Sequence, residues 1–359
     1  MSVNKLYHTW FERIQQLRPE ERVTRLRNFA WIAVGILLSR NVHLSWIAEK
    51  IPGQATTVSK TRRISRFLSN GAVRVREWYK GVARDVLDMV VSQGMEVRLL
   101  TDGSKVGFGH QLLMVALAYR RRAIPIAWTW VKGARGHSSA LKQMALLQYI
   151  QQLMPEKAQV TIMGDSEFGA VPVLKQLESW QWGYVLRQKG STRVKLPDQH
   201  PWWRLASLAN RGDPPQWFPE VHLTRKHGHK VNLIIYWQAG QEEPWLLATN
   251  LASLRVGLRA YKRRMWIEEM FGDFKQHGFD LESSHLRYFL RLSRLTLIVA
   301  FLYYWLVAFG SQVIKRGLRH LVDRADRRDL SIFRIGLTMF ERLRANDLPI
   351  PIRLKPYFS

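Results

Sequence analysis

The chain has 359 residues, 47% of them hydrophobic, which is enough for two or three domains with sizeable cores. Cysteine is absent, so disulfides, thiol nucleophiles and cysteine-ligated zinc are excluded, and a reducing compartment fits. Lys and Arg number 55 against 28 Asp and Glu, a formal net charge of +27; a chain that repels itself this strongly favours an anionic partner, with nucleic acid first among them.

Met1 to Glu20 is polar and mixed in charge, with no signal-peptide pattern. Apolar residues then recur at helical spacing through Phe29, Ile32, Ile36 and Leu37. Leu44 to Ile51 is a second helical stretch, broken at Pro52-Gly53, and Val58 to Leu68 is a third, carrying Lys60, Arg62, Arg63 and Arg66. Two short helices around a turn, the second basic, are compatible with a helix-turn-helix DNA reader and equally with an ordinary helical hairpin. Residues 1–92 are therefore expected to form a helical N-terminal domain, with those four basic side chains as candidate DNA contacts.

The pattern changes near residue 93. Val97 to Thr101 reads as a short apolar strand ending at Asp102-Gly103. Leu112 to Ala118 and Ile124 to Val131 read as two more strands, although Pro125 weakens the latter. Ser138 to Met154 has a helical pattern, and Val160 to Met163 is a buried strand ending at Gly164-Asp165. Strands, a helix and a further strand predict an α/β core. Residues 190–244 hold Pro197, Pro201, Pro214, Pro215 and Pro219 and alternating segments at Val221 to Thr224 and Val231 to Trp237, which predicts a β-rich insertion; Trp202-Trp203 is expected to pack it. Trp245 to Thr249 returns as a strand, and from Leu254 the chain reads as mostly helical. Leu295 to Gly310 is apolar but falls just short of the roughly 17 residues needed to cross a bilayer. It is read as a buried helix, and no membrane partner is expected. The expected domains are 1–92, an α/β domain over 93–310 and a C-terminal helical segment with its tail over 311–359.

Asp102 and Asp165 each follow an apolar strand and adjoin a glycine. Functional groups gather beyond the carboxyl ends of strands in such sheets. Two neighbouring carboxylates repel unless a proton or a cation intervenes, and a hard divalent ion with oxygen ligands is the natural solution. The bland alternative is that each aspartate caps a turn. Tyr261, Arg264, Glu268 and Lys275 follow at steps of three, four and seven, which on a continuous helix share one face. A surface Arg–Glu pair would explain two of the four. Glu269 is turned about 100° away from that stripe; Asp273, Asp280 and Glu282 are lesser rivals. His227 and His229 flank a turn and are read as a hairpin tip, and Gly136-His137 is read as a structural loop.

Tyr261, Arg264, Glu268 and Lys275 together resemble the glutamate signature of DDE transposases of the insertion-sequence-four type. Leu99 to Ser104 and Ile162 to Gly169 resemble the two aspartate motifs of that family, in the order Asp, Asp, β-rich insertion, Glu, across roughly residues 95–310. The resemblance implies an RNase-H-like (retroviral-integrase-like) catalytic core. It implies Asp102, Asp165 and Glu268 as catalytic metal ligands, with Asp102 bridging two Mg2+ ions for which Mn2+ can substitute. It implies a DNA transposase of a bacterial insertion sequence, cytoplasmic and nucleoid-associated. Such an enzyme acts on double-stranded DNA, namely transposon ends with inverted repeats and target DNA, as a homodimer in the synaptic complex. Tyr261, Arg264 and Lys275 would grip phosphates. Trp245 would stack a flipped base, with Trp237 as the alternative, and Arg187 is a DNA contact or a solvated arginine. Two other readings stand beside this one: a structure-selective nuclease on the same fold, and a domesticated, non-catalytic DNA-binding protein.

Overall fold

The computed structural model describes residues 1–107, 109–133, 138–197 and 200–358. Five helices open the chain: α1 (Val3–Leu17), α2 (Val23–Ser39), α3 (Leu44–Glu49), α4 (Thr57–Ser69) and α5 (Val75–Ser92). Strands β1 (Val97–Val106), β2 (His110–Tyr119) and β3 (Arg122–Lys132) follow, then α6 (Ala140–Gln151), β4 (Val160–Gly164), α7 (Val171–Ser179) and β5 (Gly183–Arg187). The stretch expected to be β-rich holds β6 (Arg193–Lys195), β7 (Trp203–Arg204), β8 (Gln216–Leu223) and β9 (His229–Tyr236), and β10 (Trp245–Thr249) closes it. The remainder is α8 (Leu254–Tyr261), α9 (Met265–Phe274), α10 (Phe289–Lys315) and α11 (Ile332–Ala345). This is the expected mixed α/β chain with helices at both ends.

The chain divides into two compact units: Met1–Val86 with Val106–His110 and Met270–Ser359, and Leu87–Lys105 with Gln111–Glu269. The first is helical. Its helices start on hydroxyl caps where the sequence supplies them: Ser2 accepts from the Lys5 N–H, Thr56 from Ser59 and Ser331 from Arg334. Its core is α10, a 27-residue helix long and apolar enough to cross a membrane, yet 89% buried over its most apolar window. Trp305 meets Trp10, Phe301 meets Phe29, and Tyr303 stacks on Phe333. Gly310 and Gly336 let α10 and α11 touch backbone to backbone: a Cβ at either would sit 2.0 Å from a carbonyl oxygen of the other helix.

The ten strands form one sheet in the order β3-β2-β1-β4-β5-β10-β9-β8-β6-β7. β1, β4 and β5 are parallel, with Thr101 opposite Gly164 and Gly164 opposite Leu186. Pro125 is tolerated because β3 is an edge strand, where a missing N–H breaks no central ladder. The inserted strands are not a separate sheet. β10 pairs antiparallel with β5 on one side and with β9 on the other, so the insertion continues the same sheet outward.

Three expectations need correction. The first strand does not end at Asp102-Gly103: β1 runs on to Val106, so both residues lie within it. Residues 258–274 are not one helix: Lys262–Arg264 tightens into a 3-10 turn between α8 and α9, with no glycine or proline to announce it. Trp203 is not buried in the insertion but is 41% exposed on β7, a two-residue edge strand. Helix α7, with Pro172 in its first turn, was not apparent in the residue pattern.

Candidate active site

Strand pairing brings the two aspartates together. Thr101 and Gly164 are partners in the parallel β1–β4 ladder, so Asp102 and Asp165 each come one residue after a paired position, Asp102 still on β1 and Asp165 just past β4; neighbouring strands run about 4.8 Å apart. Asp102 is 3% exposed; its Oδ1 accepts from the Gly103 N–H at 2.7 Å. Asp165 is partly exposed, and its Oδ1 accepts from the Ser166 N–H at 2.7 Å as the cap of a 3-10 turn. Asp165 does cap its own turn, just past the end of β4, as the bland reading holds, whereas Asp102 lies within β1, which continues to Val106, and caps no turn.

Arg264 connects the first aspartate to Glu268. The tight turn before α9 carries this arginine inward to 8% exposure. Its Nη1 donates to Asp102 Oδ2 at 3.3 Å and its Nη2 to Glu268 Oε1 at 2.7 Å. Its guanidinium carbon lies 5.8 Å from the centre of the Tyr261 ring. Burial alone would lower the Arg264 pKa, but Tyr261, Asp102, Glu268 and Asp165 around it hold the group above the ordinary arginine value. Burial pushes the Tyr261 hydroxyl up to about 12; Arg264 opposes this and Asp165 adds to it. That hydroxyl is buried without a hydrogen-bond partner among the described residues.

The neighbouring acids are engaged elsewhere. Glu269 pairs with Arg122 at 3.1 Å. Asp273 is buried, Asp280 accepts from the Asn41 amide, and Glu282 pairs with Lys275 at 3.1 Å. Lys275 falls just past the end of α9, so the last step of the stripe leaves the helix. His229 Nε2 faces Glu178 at 3.1 Å and belongs to no ligand cluster. Gly136-His137 lies outside the described residues.

Trp245 is half-buried, not core. Its ring meets Tyr261 edge-on at 5.0 Å and lines a cleft of about 600 Å3 with Arg187, Glu243, Lys262, Arg264 and Met265. Arg187 donates to Glu243 at 2.8 Å and to the Pro244 carbonyl at 3.1 Å, and it also lines a second cleft with Asp165. Trp237 instead donates to the Gln241 carbonyl, under Arg211. In the helical unit, Arg62 and Arg66 are exposed on α4. Lys60 donates to the Ile51 carbonyl at 2.6 Å and Arg63 to Asn28 at 2.5 Å, so these two are partly spent on the fold.

The donors are hard carboxylate oxygens, the kind that suit magnesium. Among the described residues, no three His, Asp or Glu side chains already form an enclosed ligand group. The aspartate pair fits a hard cation by chemistry and by strand register, while Glu268 is held to it through Arg264. Residues that the sequence reading missed are Gln111, Gln143 and Glu167, which lie beside the aspartates. A single polar residue opening the apolar run Leu112 to Ala118 was the available signal for Gln111.

One carboxylate on a strand and another just past the end of its parallel neighbour, with a third tied to the first through a buried arginine, define an acidic-site α/β protein. Residues 102–305, more than half of the chain, match the family described as Transposase DDE domain, and the chain belongs to that family. The match begins at Asp102. No curated protein matches the chain. Among solved structures, the cryo-EM structure of the piggyBac transposase synaptic complex with hairpin DNA is similar with a TM-score of 0.41 and 10% identity, over 95% of this chain and 79% of that one.

Proposed function

We propose that this transposase-family chain is a cut-and-paste DNA transposase of the insertion-sequence-four type, from a bacterial insertion sequence, and that Asp102, Asp165 and Glu268 are its catalytic carboxylates. The observation that carries the reading is the register of β1 and β4, which sets Asp102 beside Asp165 while Arg264 ties Glu268 to Asp102. The strand order β3-β2-β1-β4-β5 supports an RNase-H-like core.

The three carboxylates would hold two Mg2+ ions, or Mn2+, which when bound supply an activated attacking oxygen and a stabilised leaving oxygen. Asp102 and Asp165 offer fixed oxygens because each is held by a backbone N–H. Glu268, with its side chain 37% exposed, is the member free to adjust. Arg264 orients Asp102 and Glu268 and presents a planar fork suited to a phosphate, and Tyr261 backs it with an unpartnered hydroxyl. Trp245 offers an aromatic face in the adjoining cleft for an unstacked base. Arg187 and Lys275 add phosphate contacts, and the helices of residues 1–92 read the transposon ends through Arg62 and Arg66 with Lys60 and Arg63 behind them. A homodimer holding two inverted-repeat ends and a target duplex completes the reading.

The test is incubation with duplexes bordering the coding sequence and Mg2+, read on a denaturing gel. Nicked ends and, from pre-cleaved ends, joined products are expected. Asp102→Asn, Asp165→Asn and Glu268→Gln should abolish nicking and spare end binding, while Glu269→Gln should nick. Nicking without joining would favour a structure-selective nuclease; neither, at any Mg2+ or Mn2+ concentration, would favour a DNA-binding protein without catalysis.

A further inference from the structure

Beside the aspartate pair lies a polar knot that the reaction as described does not use. Glu167, two residues after Asp165, accepts at Oε2 from the Gln111 side-chain amide at 2.8 Å and at Oε1 from the Ser138 backbone N–H at 2.7 Å. Its own carbonyl accepts from the Gln143 amide at 2.8 Å, and Gln143 donates as well to the Ser138 hydroxyl at 2.8 Å. Gln111 and Gln143 are 0% and 1% exposed. Buried amides are costly unless bonded; the N–H groups of both find their partner on Glu167, while their side-chain oxygens are buried without one among the described residues.

The knot also presses on the other aspartate. A Cβ at Gly103 would lie 2.1 Å from Gln111 Nε2 and 2.9 Å from Glu167 Oε2. The amide–carboxylate pair is thus seated on the backbone that carries Asp102. One side chain therefore lies against β1 at Gly103, belongs to the Asp165 turn, and holds the start of β2 and the segment leading into α6.

We propose that Glu167 is a positioning residue: it locks the Asp165 turn at a fixed separation from the Asp102-Gly103 stretch of β1 without itself joining the carboxylate set. The proposal rests on the transposase reading above for its consequence, though not for its geometry. Both carboxylate oxygens are committed to protein donors, which is the arrangement of a strut and not of a ligand. A glutamine at this position still accepts from Ser138 and still pairs with Gln111 once that amide turns over. Charge is therefore dispensable at this position, whereas hydrogen bonding is required.

The experiment compares native chain with Glu167→Ala, Glu167→Gln and Gln111→Met. It measures nicking of end duplexes against Mg2+ concentration, end binding, and hydrogen exchange over residues 99–105 and 163–169. Glu167→Ala should lose nicking on the order of a hundredfold, as misplacement of reacting groups by about an ångström does. It should also need more Mg2+ for its half-maximal rate and exchange faster in both segments, with end binding unchanged. Glu167→Gln should stay within about tenfold of native, the effect of one weakened hydrogen bond. Gln111→Met cuts only the tie to β2, so it keeps the question answerable if Glu167→Ala does not fold, and it too should speed exchange in both segments. Glu167→Gln as impaired as Glu167→Ala would overturn the proposal, because the charge itself would then be acting. So would a Glu167→Ala that nicks and exchanges like native chain. A native chain that nicks nothing would instead remove the transposase reading, while the exchange data still decide whether Glu167 couples the two segments.

Discussion

Replacing Arg264 by methionine removes the guanidinium that Asp102 and Glu268 share, and the structure assigns the two halves of that contact very different weights. The side chains of Arg264 and Asp102 are 10% and 4% exposed, whereas Glu268 is 37% exposed. Breaking a buried pair by deleting one partner leaves an uncompensated charge and costs about 3–5 kcal/mol. A half-exposed pair is worth about 1 kcal/mol or less. Arg264→Met should therefore lose about 3–5 kcal/mol of stability, and Glu268→Gln no more than about 1 kcal/mol. Arg264→Lys should fall between them, because a single ammonium cannot fork onto two carboxylates. Urea unfolding without divalent ions, followed by tryptophan fluorescence and pulse proteolysis, measures all three. If Arg264→Met and Glu268→Gln agree within about 0.5 kcal/mol, the scatter of ordinary surface changes, Asp102 does not depend on Arg264. The arginine would then be a DNA contact and nothing more.

Three further outcomes are expected. Tyr261 is raised from 10.0 to about 12, so between those pH values the unfolded chain releases a proton that the folded chain keeps. The stability present below pH 10 is lost as pH rises through that window, at up to about 1.4 kcal/mol per pH unit. Tyr261→Phe should therefore flatten the fall in urea midpoint between pH 9.5 and 11.5, roughly the two ends of that window; equal slopes would remove burial as the cause. Gly336→Ala should cost about 1–3 kcal/mol or more, since its Cβ meets the Leu306 carbonyl at 2.0 Å and backbone cannot swing aside. A melting temperature equal to native would refute the close crossing of α10 and α11. Lys275→Ala should lower the salt slope of end binding by about one unit, and an unchanged slope would take Lys275 off the phosphate contacts.

The parts of the site that follow simple periodicity were legible in the sequence, and those that depend on pairing were not. Short apolar runs before Asp102 and Asp165 marked both strands, because buried parallel strands read as continuous hydrophobic stretches; Asp165 does follow its strand, but β1 continues past Asp102 to Val106. That those strands are neighbours was not visible: register is a long-range property, and nothing local in Val97–Thr101 names Val160–Gly164 as its partner. The three- and four-residue steps from Tyr261 to Glu268 survive the 3-10 turn because the side chains still meet through Arg264, but the seven-residue step to Lys275 does not stay on the helix. Trp245 could not be told from core by pattern, since half-burial on β10 arises only after β5 and β9 flank it. Glu167 was overlooked for a similar reason: its partners lie on β2 and before α6, far away in the chain.

Two buried arginines show why partner chemistry, and not burial, marks the site. Arg294 in the helical unit is 5% exposed, is lowered in pKa by its burial, and donates to the Val73 and Leu68 carbonyls at 3.0 and 2.9 Å. Leu68 lies in the last turn of α4 and Val73 in the link to α5, so Arg294 ties one segment to another. Arg264 is 8% exposed, its acceptors are two carboxylates, and the arginine itself lines a cleft. Carboxylates keep lone pairs for a further cation, and a guanidinium keeps donors for a phosphate. Burying the polar side chain of Asp102 costs solvation that an apolar residue would not lose. A fold under selection for stability alone gains nothing by it, which is why the functional reading rests on this pair before any of the surface arginines.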